Sequence, residues 1–299
     1  MRDLLNRIKK EKILISDGAW GTFLQQKGLL PGECPEEWNI SHYQDVFDIA
    51  KSYIDAGSDI IESNSFGASR IKLAHYGLER EAFTINRIAV EISRKAAGED
   101  KFVIASMGPT GKIPMMEEIP TADFYNAFKE QAIAFSEGGA DAVCIETMAD
   151  PQEAIIAIKA VKENTPLTCI CTFTFDRTAS GEYRTIMGTS PEIAGENAVK
   201  AGADIIGTNC GNGIEGMVEI VHIFRNIFPE IPILVHSNAG VPIHNGSETI
   251  FPESPDFMAE KVVHLADAGA NIIGGCCGTT PEHIKAMKMA LIKNNRIKG

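Results

Sequence analysis

The sequence lacks the segments that direct a chain into or across a membrane. Its first residues include several basic ones, but no apolar stretch of the kind found in a secretory signal follows them. No run of about 18 or more apolar residues occurs, which is the length that a membrane-spanning helix needs. We therefore expect a cytoplasmic protein that has no membrane partner.

Excess positive charge and a disulfide framework are absent as well. The net charge is −12 at pH 7, which argues against non-specific binding to nucleic acid. The seven cysteines are an odd number and do not form the framework of a secreted protein, so we expect a reducing environment. With 299 residues, 44% of them hydrophobic, the chain needs no disulfides to hold its core. This length suits one large α/β domain or two smaller ones.

What the sequence does contain is a repeat. Four times, an amphipathic stretch ends at a glycine that is followed by an apolar run, and the glycines are Gly57, Gly139, Gly202 and Gly269. Such a glycine is typical of a helix C-cap. The apolar run is typical of a parallel strand that is buried on both faces.

The spacing of these glycines predicts the number of strands. They lie roughly 60 to 80 residues apart, which is room for two βα units of about 30 residues each. A second apolar run is visible before each glycine, at residues 13–16, 102–107, 167–175 and 233–237. Eight parallel strands alternating with helices predict an α/β fold of the (β/α)8 TIM barrel type, formed as a single domain by residues 1–299. A doubly wound open sheet is the alternative, and the eightfold count disfavours it.

Polar residues follow the predicted strands at the points where they end. In a barrel all of these ends lie on one rim, where active sites form. The segments expected there are Asp17-Gly18-Ala19-Trp20-Gly21-Thr22, Glu62-Ser63-Asn64-Ser65-Phe66, Gly108-Pro109-Thr110-Gly111, Glu146-Thr147, Asn209-Cys210, Ser237-Asn238-Ala239-Gly240 and Cys276-Cys277. The three cysteines, the acidic residues and the several amides at one rim indicate a functional site rather than packing.

Three of the seven cysteines belong to this rim. Cys210 ends one predicted strand, and Cys276 and Cys277 stand side by side in a glycine-rich run at the end of another. Three thiolates leave one position of a tetrahedral zinc open, and an open zinc ion can take part in chemistry. The remaining cysteines are interpreted as a loop residue, Cys34, and as small buried hydrophobic residues, Cys144, Cys169 and Cys171.

A disulfide between the adjacent cysteines is the alternative. It would leave Cys210 unexplained, and a reducing environment opposes it. Neighbouring residues of a regular strand point to opposite faces, so both cysteines can bind one metal ion only if the chain turns there. The surrounding residues Gly274, Gly275 and Gly278 permit that turn.

The chemistry expected of such a site is the alkylation of a thiol. A helix that begins with Thr280 as N-cap and Pro281 as first residue would direct its positive end towards the thiolates. Zn²⁺ with three thiolates carries one net negative charge, and a substrate thiol in the fourth position would lose its proton at neutral pH. Its sulfur would stay nucleophilic because the other ligands are electron-rich. Activation of water for hydrolysis is disfavoured, since three anionic ligands make zinc a weak Lewis acid.

Taken together, these motifs resemble the homocysteine S-methyltransferase family. The matching runs extend over nearly the whole chain, and they are residues 17–22, 64–66, 108–111, 146–147, 208–210, 238–240 and 274–281. The double-cysteine run is highly specific. In this family the barrel is also the homocysteine-binding module of cobalamin-dependent methionine synthase and of betaine–homocysteine methyltransferase. The resemblance is closest to the N-terminal module of methionine synthase.

The resemblance implies an enzyme that transfers a methyl group to the thiol of homocysteine and so forms methionine. It implies a zinc ion held by the catalytic cysteines Cys210, Cys276 and Cys277, with the homocysteine sulfur as fourth ligand. The three cysteines found from the rim argument are thus the three that the family would use.

The resemblance also implies how the amino-acid end of homocysteine is held. The loop after strand one supplies Asp17, Gly18 and Ala19, and the end of strand four supplies Glu146. Carboxylates suit an ammonium group, and backbone N–H groups in a glycine turn suit a carboxylate. Asp17 could instead only form the turn, and Glu146 could belong to a structural ion pair. The matched motifs place further substrate-binding residues at Thr22, Asn64, Asn209 and Asn238.

The sequence leaves the methyl donor open. No Asp-x-His-x-x-Gly corrinoid signature occurs, so we expect the donor to be a small molecule or a separate protein. A methyl-corrinoid protein, which carries methylcobalamin, is the favoured partner because the module that this chain resembles works in that way. The alternatives are S-methylmethionine and betaine, although an aromatic cage for betaine would have to come from two tryptophans and five tyrosines. A non-catalytic component that binds a thiol for a partner is a further alternative.

Three departures from the family pattern concern the acceptor and donor pockets rather than the metal. The usual Gly-Pro pair shortly after the first zinc cysteine is missing from Gly211-Asn212-Gly213-Ile214, the usual proline before Asn-Ala-Gly is Ser237, and the usual Asn-Thr-Phe is Asn64-Ser65-Phe66. The identity of the acceptor thiol therefore stays open. Three long loops, at residues 108–120, 176–191 and 240–255, are either ordinary barrel decoration or a rim that docks the donor or closes as a lid.

Overall fold

The eight strands expected from the sequence form a parallel barrel in the computed structural model, which describes residues 2–116, 119–245 and 248–298. The strands are β1 Leu14–Ile15, β2 Ile60–Glu62, β3 Phe102–Met107, β4 Ala142–Met148, β5 Thr168–Phe173, β6 Ile205–Asn209, β7 Ile233–Ser237 and β8 Ile272–Gly275. Consecutive strands from β2 to β8 pair in parallel, and β8 pairs with β1. Asp59 joins β1 to β2, because its amide donates to the Ile15 carbonyl at 2.7 Å. The predicted TIM barrel is confirmed.

Helices cover the barrel, of which the first precedes β1 and the others follow strands. They are α1 Leu4–Glu11, α2 Gly21–Gln26, α3 Trp38–Ser41, α4 Tyr43–Ala56, α5 Arg70–Leu73, α6 Ala82–Ala97, α7 Thr121–Gly138, α8 Pro151–Asn164, α9 Pro191–Ala201, α10 Ile214–Ile227, α11 Pro255–Ala268 and α12 Pro281–Lys293. Among the helices in the described parts of the chain, none has both the length and the hydrophobicity that a membrane span requires. The short helices α2, α3 and α5 lie in the connections that follow β1 and β2.

The four repeat glycines close helices as the sequence predicts. Gly57, Gly139, Gly202 and Gly269 are the C-caps of α4, α7, α9 and α11, with φ between 88° and 109°. Only glycine adopts such a left-handed conformation without strain, so each of them ends its helix and turns the chain into the following strand.

Two strand boundaries and two hairpins differ from the expectation. The apolar run at 167–175 is longer than β5, which ends at Phe173. Beyond that point the Phe175 carbonyl accepts a hydrogen bond from the Asn212 side chain rather than from a neighbouring strand. The run at 13–16 contains a strand of only two residues. Two long rim loops contain antiparallel hairpins, which pair Asp176–Arg177 with Tyr183–Arg184 and Ile243–Asn245 with Glu248–Ile250. Residues 117–118 and 246–247 of the predicted rim loops lie outside the described residues.

The core consists of one layer between the helices and the sheet and another layer inside the barrel, and the layer inside the barrel sets the position of the site. Buried apolar side chains fill the lower barrel interior, and Leu4 and Ile8 of α1 pack against them from below. Above this layer the inward-facing residues become polar and include Glu62, Ser106, Glu146, Thr172, Asn209 and His236. The barrel is therefore packed with hydrocarbon at its amino-terminal end and lined with polar groups near the carboxyl ends of its strands.

Candidate metal and substrate site

Three thiols meet at the carboxyl ends of β6 and β8. The sulfur atoms of Cys210, Cys276 and Cys277 all lie within 4.8 Å of one another, and each residue is partly exposed. Residues that are more than 60 positions apart in the chain are thus brought together by the barrel. A spacing of this kind allows all three sulfurs to bind one tetrahedral metal ion.

The chain adopts a strained conformation to direct Cys210 into this cluster. Its φ is +58°, a left-handed value that costs a non-glycine residue about 1–2 kcal/mol. Its amide donates to the His236 carbonyl at 3.0 Å, and its carbonyl accepts from the Asn212 amide at 2.8 Å. Gly211 follows because a Cβ there would lie 2.8 Å from the Phe175 carbonyl oxygen. Strain held in place by hydrogen bonds is common at functional sites.

The turn expected at the adjacent cysteines is present. Strand β8 ends at Gly275, and the carbonyl of Cys276 accepts a hydrogen bond from the Thr279 amide at 3.1 Å. Gly278 occupies the third position of this turn with φ of +80°. Because the two cysteines lie in the turn rather than in the strand, both can face the same point.

The electrostatics of the cluster favour a bound cation. Hydrogen bonds donated by the thiols of Cys276 and Cys277 lower the pKa of Cys210. The hydrogen bond to Cys210 raises the pKa of Cys276 and raises that of Cys277 to about 12. Without a cation, therefore, the cluster holds one thiolate and two thiols, and a divalent metal ion would replace the two protons. The donor set fits zinc.

An amide and a helix terminus complete the surroundings of the thiols. Asn238 hydrogen-bonds to Cys210, whereas its other terminal atom, Oδ1, is buried without a partner among the described residues. Helix α12 begins at Pro281 with Thr280 as its N-cap, as predicted. Its N-terminus lies close in sequence to the two cysteines, where its dipole favours negative charge.

A cavity of about 300 Å³ extends from the thiols into the barrel mouth. It is lined by all three cysteines and by the predicted substrate residues Gly18, Ala19, Thr22, Asn64 and Glu146. A volume of this size suits a small ligand. The structure therefore brings most of the residues expected from the sequence to one concave site.

Glu146 projects into this cavity from an irregular end of β4. The register of β4 against β5 shifts between Ile145 and Met148, and such bulges redirect side chains next to sites. The carboxylate accepts hydrogen bonds from the Ser106 hydroxyl and, at 3.2 Å, from Asn209. Burial raises the pKa of Glu146 to about 7. A cationic group beside it would favour its charged form.

Asp17 and Asn209 lie behind the cavity wall and hold other residues in place. The carboxylate of Asp17 accepts from the Trp20 indole and from the Glu62 amide, both at 2.9 Å, and burial raises its pKa to about 6. The side-chain oxygen of Asn209 accepts from the Thr147 amide at 2.8 Å, and its nitrogen donates to Glu146. Both act through the residues that they orient.

The remaining predicted residues border the cavity at the β1 loop and at the end of β2. The Ala19 amide donates to the Thr279 hydroxyl at 3.1 Å, and a Cβ at Gly18 would lie 2.7 Å from that hydroxyl. Thr22 belongs to the first turn of α2, where amide groups have no intrahelical acceptor. The Asn64 side chain donates to the Pro35 carbonyl at 2.8 Å and so fixes the connection above it.

Some polar residues that line the cavity were not predicted from the sequence as substrate-binding residues, although one of them, Glu62, belongs to a predicted rim segment. Glu62, Ser106 and His236 all line it, and they come from β2, β3 and β7. Ser106 and His236 lie inside apolar runs, where a single polar residue gives only a weak sequence signal. Alternation along a strand would have found them, because each stands two positions beyond a buried inward-facing residue.

The chain is similar to known proteins over nearly its whole length. The methionine synthases of Mycobacterium tuberculosis (strain ATCC 25618 / H37Rv) and Mycobacterium leprae (strain TN) are 29% and 28% identical to the chain over 98% of its length. The chain spans only 26% and 25% of those proteins. The metallated form of the homocysteine methyltransferase MmuM from Escherichia coli has a TM-score of 0.78 at 22% identity, covering 96% of this chain and 99% of that one, which shows the fold. Because the sequence profile described as homocysteine S-methyltransferase matches residues 14–291, the chain belongs to the homocysteine S-methyltransferase family.

Proposed function

We propose that the protein binds zinc through Cys210, Cys276 and Cys277 and catalyses methyl transfer to the thiol of homocysteine, giving methionine. The observation that carries this proposal is the meeting of three thiols at the mouth of a small cavity that also holds Glu146. A thiol that enters the cavity reaches the metal position with its sulfur. Its polar end then lies among carboxylates and backbone amides.

The bound zinc ion would supply a coordinated thiolate at neutral pH, because a thiol that binds zinc loses its proton. The other tasks fall to the protein. Glu146 holds the ammonium group, and its own orientation is fixed by Ser106 and Asn209. Amides of the β1 loop and of the first turn of α2 suit the carboxylate of homocysteine. In the transfer, a C–S bond forms while the donor's leaving group keeps the electron pair of the broken bond.

A methyl-corrinoid protein on a separate chain is the donor that we propose. The chain resembles about a quarter of the length of the related methionine synthases. Large apolar side chains are exposed on the loops that follow β3, β5 and β7, and they include Met116, Ile186, Val241 and Ile243. Exposed apolar residues around a site mouth are typical of a docking surface.

Metal analysis and turnover test this proposal. The reduced protein should contain about one zinc ion per chain, and Cys210→Ser or Cys277→Ser should abolish tight binding. Cys171→Ala is the matched control, because Cys171 is fully buried in β5 outside the cluster. Full activity of metal-free protein would refute the proposal.

Turnover assays identify the methyl donor. Methionine formed only with a methyl-corrinoid protein or methylcobalamin supports the donor that we propose, whereas turnover with S-methylmethionine or betaine identifies a different donor. Homocysteine binding without turnover with any donor would indicate a non-catalytic component.

The assignment of Glu146 has its own test. Glu146→Gln keeps the shape and removes the charge, so zinc content should stay unchanged. The KM for homocysteine should rise roughly tenfold to hundredfold, which corresponds to the loss of a charge-assisted hydrogen bond of about 1.5–3 kcal/mol. 4-Mercaptobutyrate, which lacks the amino group, should be affected much less. Loss of zinc would place Glu146 in the metal's coordination shell, and an equal effect on both thiols would make it a support of the barrel mouth.

A further inference from the structure

Glu62 is a buried carboxylate that the fold does not use. It ends β2 and lines the same cavity as Glu146, with 6% of its surface exposed. Its Oε1 atom is buried and has no hydrogen-bond partner among the described residues. The nearest group of possible positive charge is His236, whose Nδ1 lies 3.8 Å away, beyond hydrogen-bonding distance.

The cavity offers no cation to balance this carboxylate. The described residues that line it include no lysine or arginine. Burial lowers the pKa of His236 to about 4, so its imidazole is neutral at physiological pH, and its Nε2 atom is also buried without a partner among the described residues. Burial and the neighbouring carboxylates Glu146 and Asp17 raise the pKa of Glu62. An unpaired buried carboxylate destabilises a fold.

The other carboxylates in or near this cavity differ from Glu62 in having structural partners. Glu36, which also lines the cavity, accepts from the Gly67 amide at 2.6 Å. Asp17 accepts from Trp20, Ser16 and the Glu62 amide, and Glu146 accepts from Ser106 and Asn209. A glutamine or a leucine at position 62 would therefore serve the fold better than glutamate. The presence of a carboxylate that destabilises the fold and faces a ligand cavity is better explained by a role in binding the ligand.

We propose that Glu62 binds the ammonium group of homocysteine together with Glu146, an inference that rests on the proposed function. An ammonium group has three N–H donors, and one carboxylate satisfies only part of them. Glu62 and Glu146 lie near the carboxyl ends of two strands that both pair with β3, and both side chains line the same cavity. The ammonium supplies the positive charge that the cavity lacks. The pair thereby selects amino-acid thiols over simple thiols.

Equilibrium binding to the zinc-loaded protein tests this role without requiring turnover. Glu62→Gln should leave zinc content unchanged and weaken homocysteine binding about tenfold or more, the effect of one charge-assisted hydrogen bond. The Kd of 4-mercaptobutyrate should change much less, because this ligand has no ammonium group for Glu62 to bind. Glu62→Asp keeps the charge but shortens the side chain, and it should retain part of the preference for homocysteine. Glu153→Gln is the matched control, because Glu153 is a buried glutamate outside the cavity.

The outcomes separate this inference from the proposed function. If the wild-type protein does not prefer homocysteine to 4-mercaptobutyrate, the amino-acid pocket itself is wrong. If the wild type has the preference and Glu146→Gln loses it, while Glu62→Gln weakens both thiols equally or neither, the inference about Glu62 is overturned and the proposed function stands. Zinc loss in Glu62→Gln would also overturn it. If Glu62→Gln does not fold, an unchanged homocysteine preference in Glu62→Ala would count against the role in the same way.

Discussion

Two non-glycine residues with left-handed backbone stand next to the groups that carry the chemistry. Thr147 follows Glu146, and Cys210 is itself one of the three clustered cysteines; both have φ of +58°. Asn209 lies between them, since its side chain receives the Thr147 amide and its carbonyl receives the Thr174 hydroxyl. Hydrogen bonds of this single amide residue thus hold two strained strand ends, and with them the distance between the substrate pocket and the metal position.

The burial of Glu146 predicts a pH-dependent effect of its neutral replacement. Its pKa rises from an ordinary 4.5 to about 7 in the folded protein, so the folded state binds the proton more tightly than the unfolded state does. The stabilising contribution is therefore complete below pH 4.5 and is lost as pH rises through about 7. Glu146→Gln does not titrate. Relative to wild type, it should gain about 2–3 kcal/mol in free energy of unfolding between acidic and mildly alkaline pH.

Denaturant unfolding of both proteins at pH 5 and pH 8, without homocysteine and with saturating zinc, measures this gain. The comparison between the two pH values removes the constant effect of altered hydrogen bonds to Ser106 and Asn209. A difference between variant and wild type that is the same at both values would show that Glu146 titrates as an ordinary exposed carboxyl group.

Gly278 predicts how tightly the turn at the cysteines is built. Alanine there would need a φ near +80°, and its Cβ would lie 2.2 Å from the ring of Phe251. Gly278→Ala should lower stability by about 2–4 kcal/mol through backbone strain and overpacking, and it should weaken zinc binding. Gly139→Ala is the control, because its φ is +88° but no atom lies within 4 Å of its Cβ position. Equal zinc affinity in the two variants would contradict the role of Gly278 at the metal site.

At the scale of elements, helix α12 is tied to the rim loop that follows β7. The Thr280 amide donates to Nδ1 of His283 at 3.1 Å, so the ring proton is on Nε2, which donates to the Glu253 carbonyl at 3.0 Å. Glu253 in turn accepts from the Ile214 amide at the start of α10. One histidine therefore connects the helix after the two cysteines with the loop above the site.

Loss of this connection should be measurable. His283→Ala removes the N-cap hydrogen bond and the link to Glu253, so we expect a loss of about 1–2 kcal/mol in stability and faster hydrogen exchange at residues 251–254. His264→Ala on the exposed face of α11 is the control and should change neither. Unchanged exchange at 251–254 would mean that the loop is held by its other contacts.

Sequence patterns predict these elements to different degrees, for physical reasons. The helix caps and β-strands were visible because glycines at C-caps and runs buried on both faces have strong sequence signals. The two hairpins in the rim loops were not predicted, because strands of only two or three residues are too short to show a sequence pattern. The bulge that redirects Glu146 depends on the pairing of β4 with β5, and no local pattern encodes such a register shift.

At the scale of the whole molecule, the barrel explains why distant residues could be assigned to one site. The carboxyl ends of the parallel strands all lie at one rim of the barrel. The positions of Cys210, Cys276 and Cys277 directly after predicted strands were therefore enough to predict that they lie close together. The rim argument could not distinguish side chains that line the cavity from those behind it. Asp17 and Glu62 both end strands as acids, yet the first is bound by its neighbours and the second faces the cavity. That difference depends on packing across the barrel.

The same architecture predicts that the metal stabilises the barrel as a whole. Cys210 and the pair Cys276-Cys277 follow β6 and β8, with β7 between them, so a bound ion joins the ends of two strands that do not pair with each other. A ligand that binds only the folded state stabilises it by about 4 kcal/mol at a free concentration of 1,000 times its Kd. Removal of zinc with a chelator should therefore lower Tm by on the order of 5–10 °C.

Differential scanning calorimetry under reducing conditions measures this shift in Tm. Cys210→Ser should have the lower Tm already and should not respond to the chelator, whereas Cys171→Ala should respond as the wild type does. A wild-type Tm that is indifferent to the chelator would mean that the three thiols hold no ion that stabilises the fold.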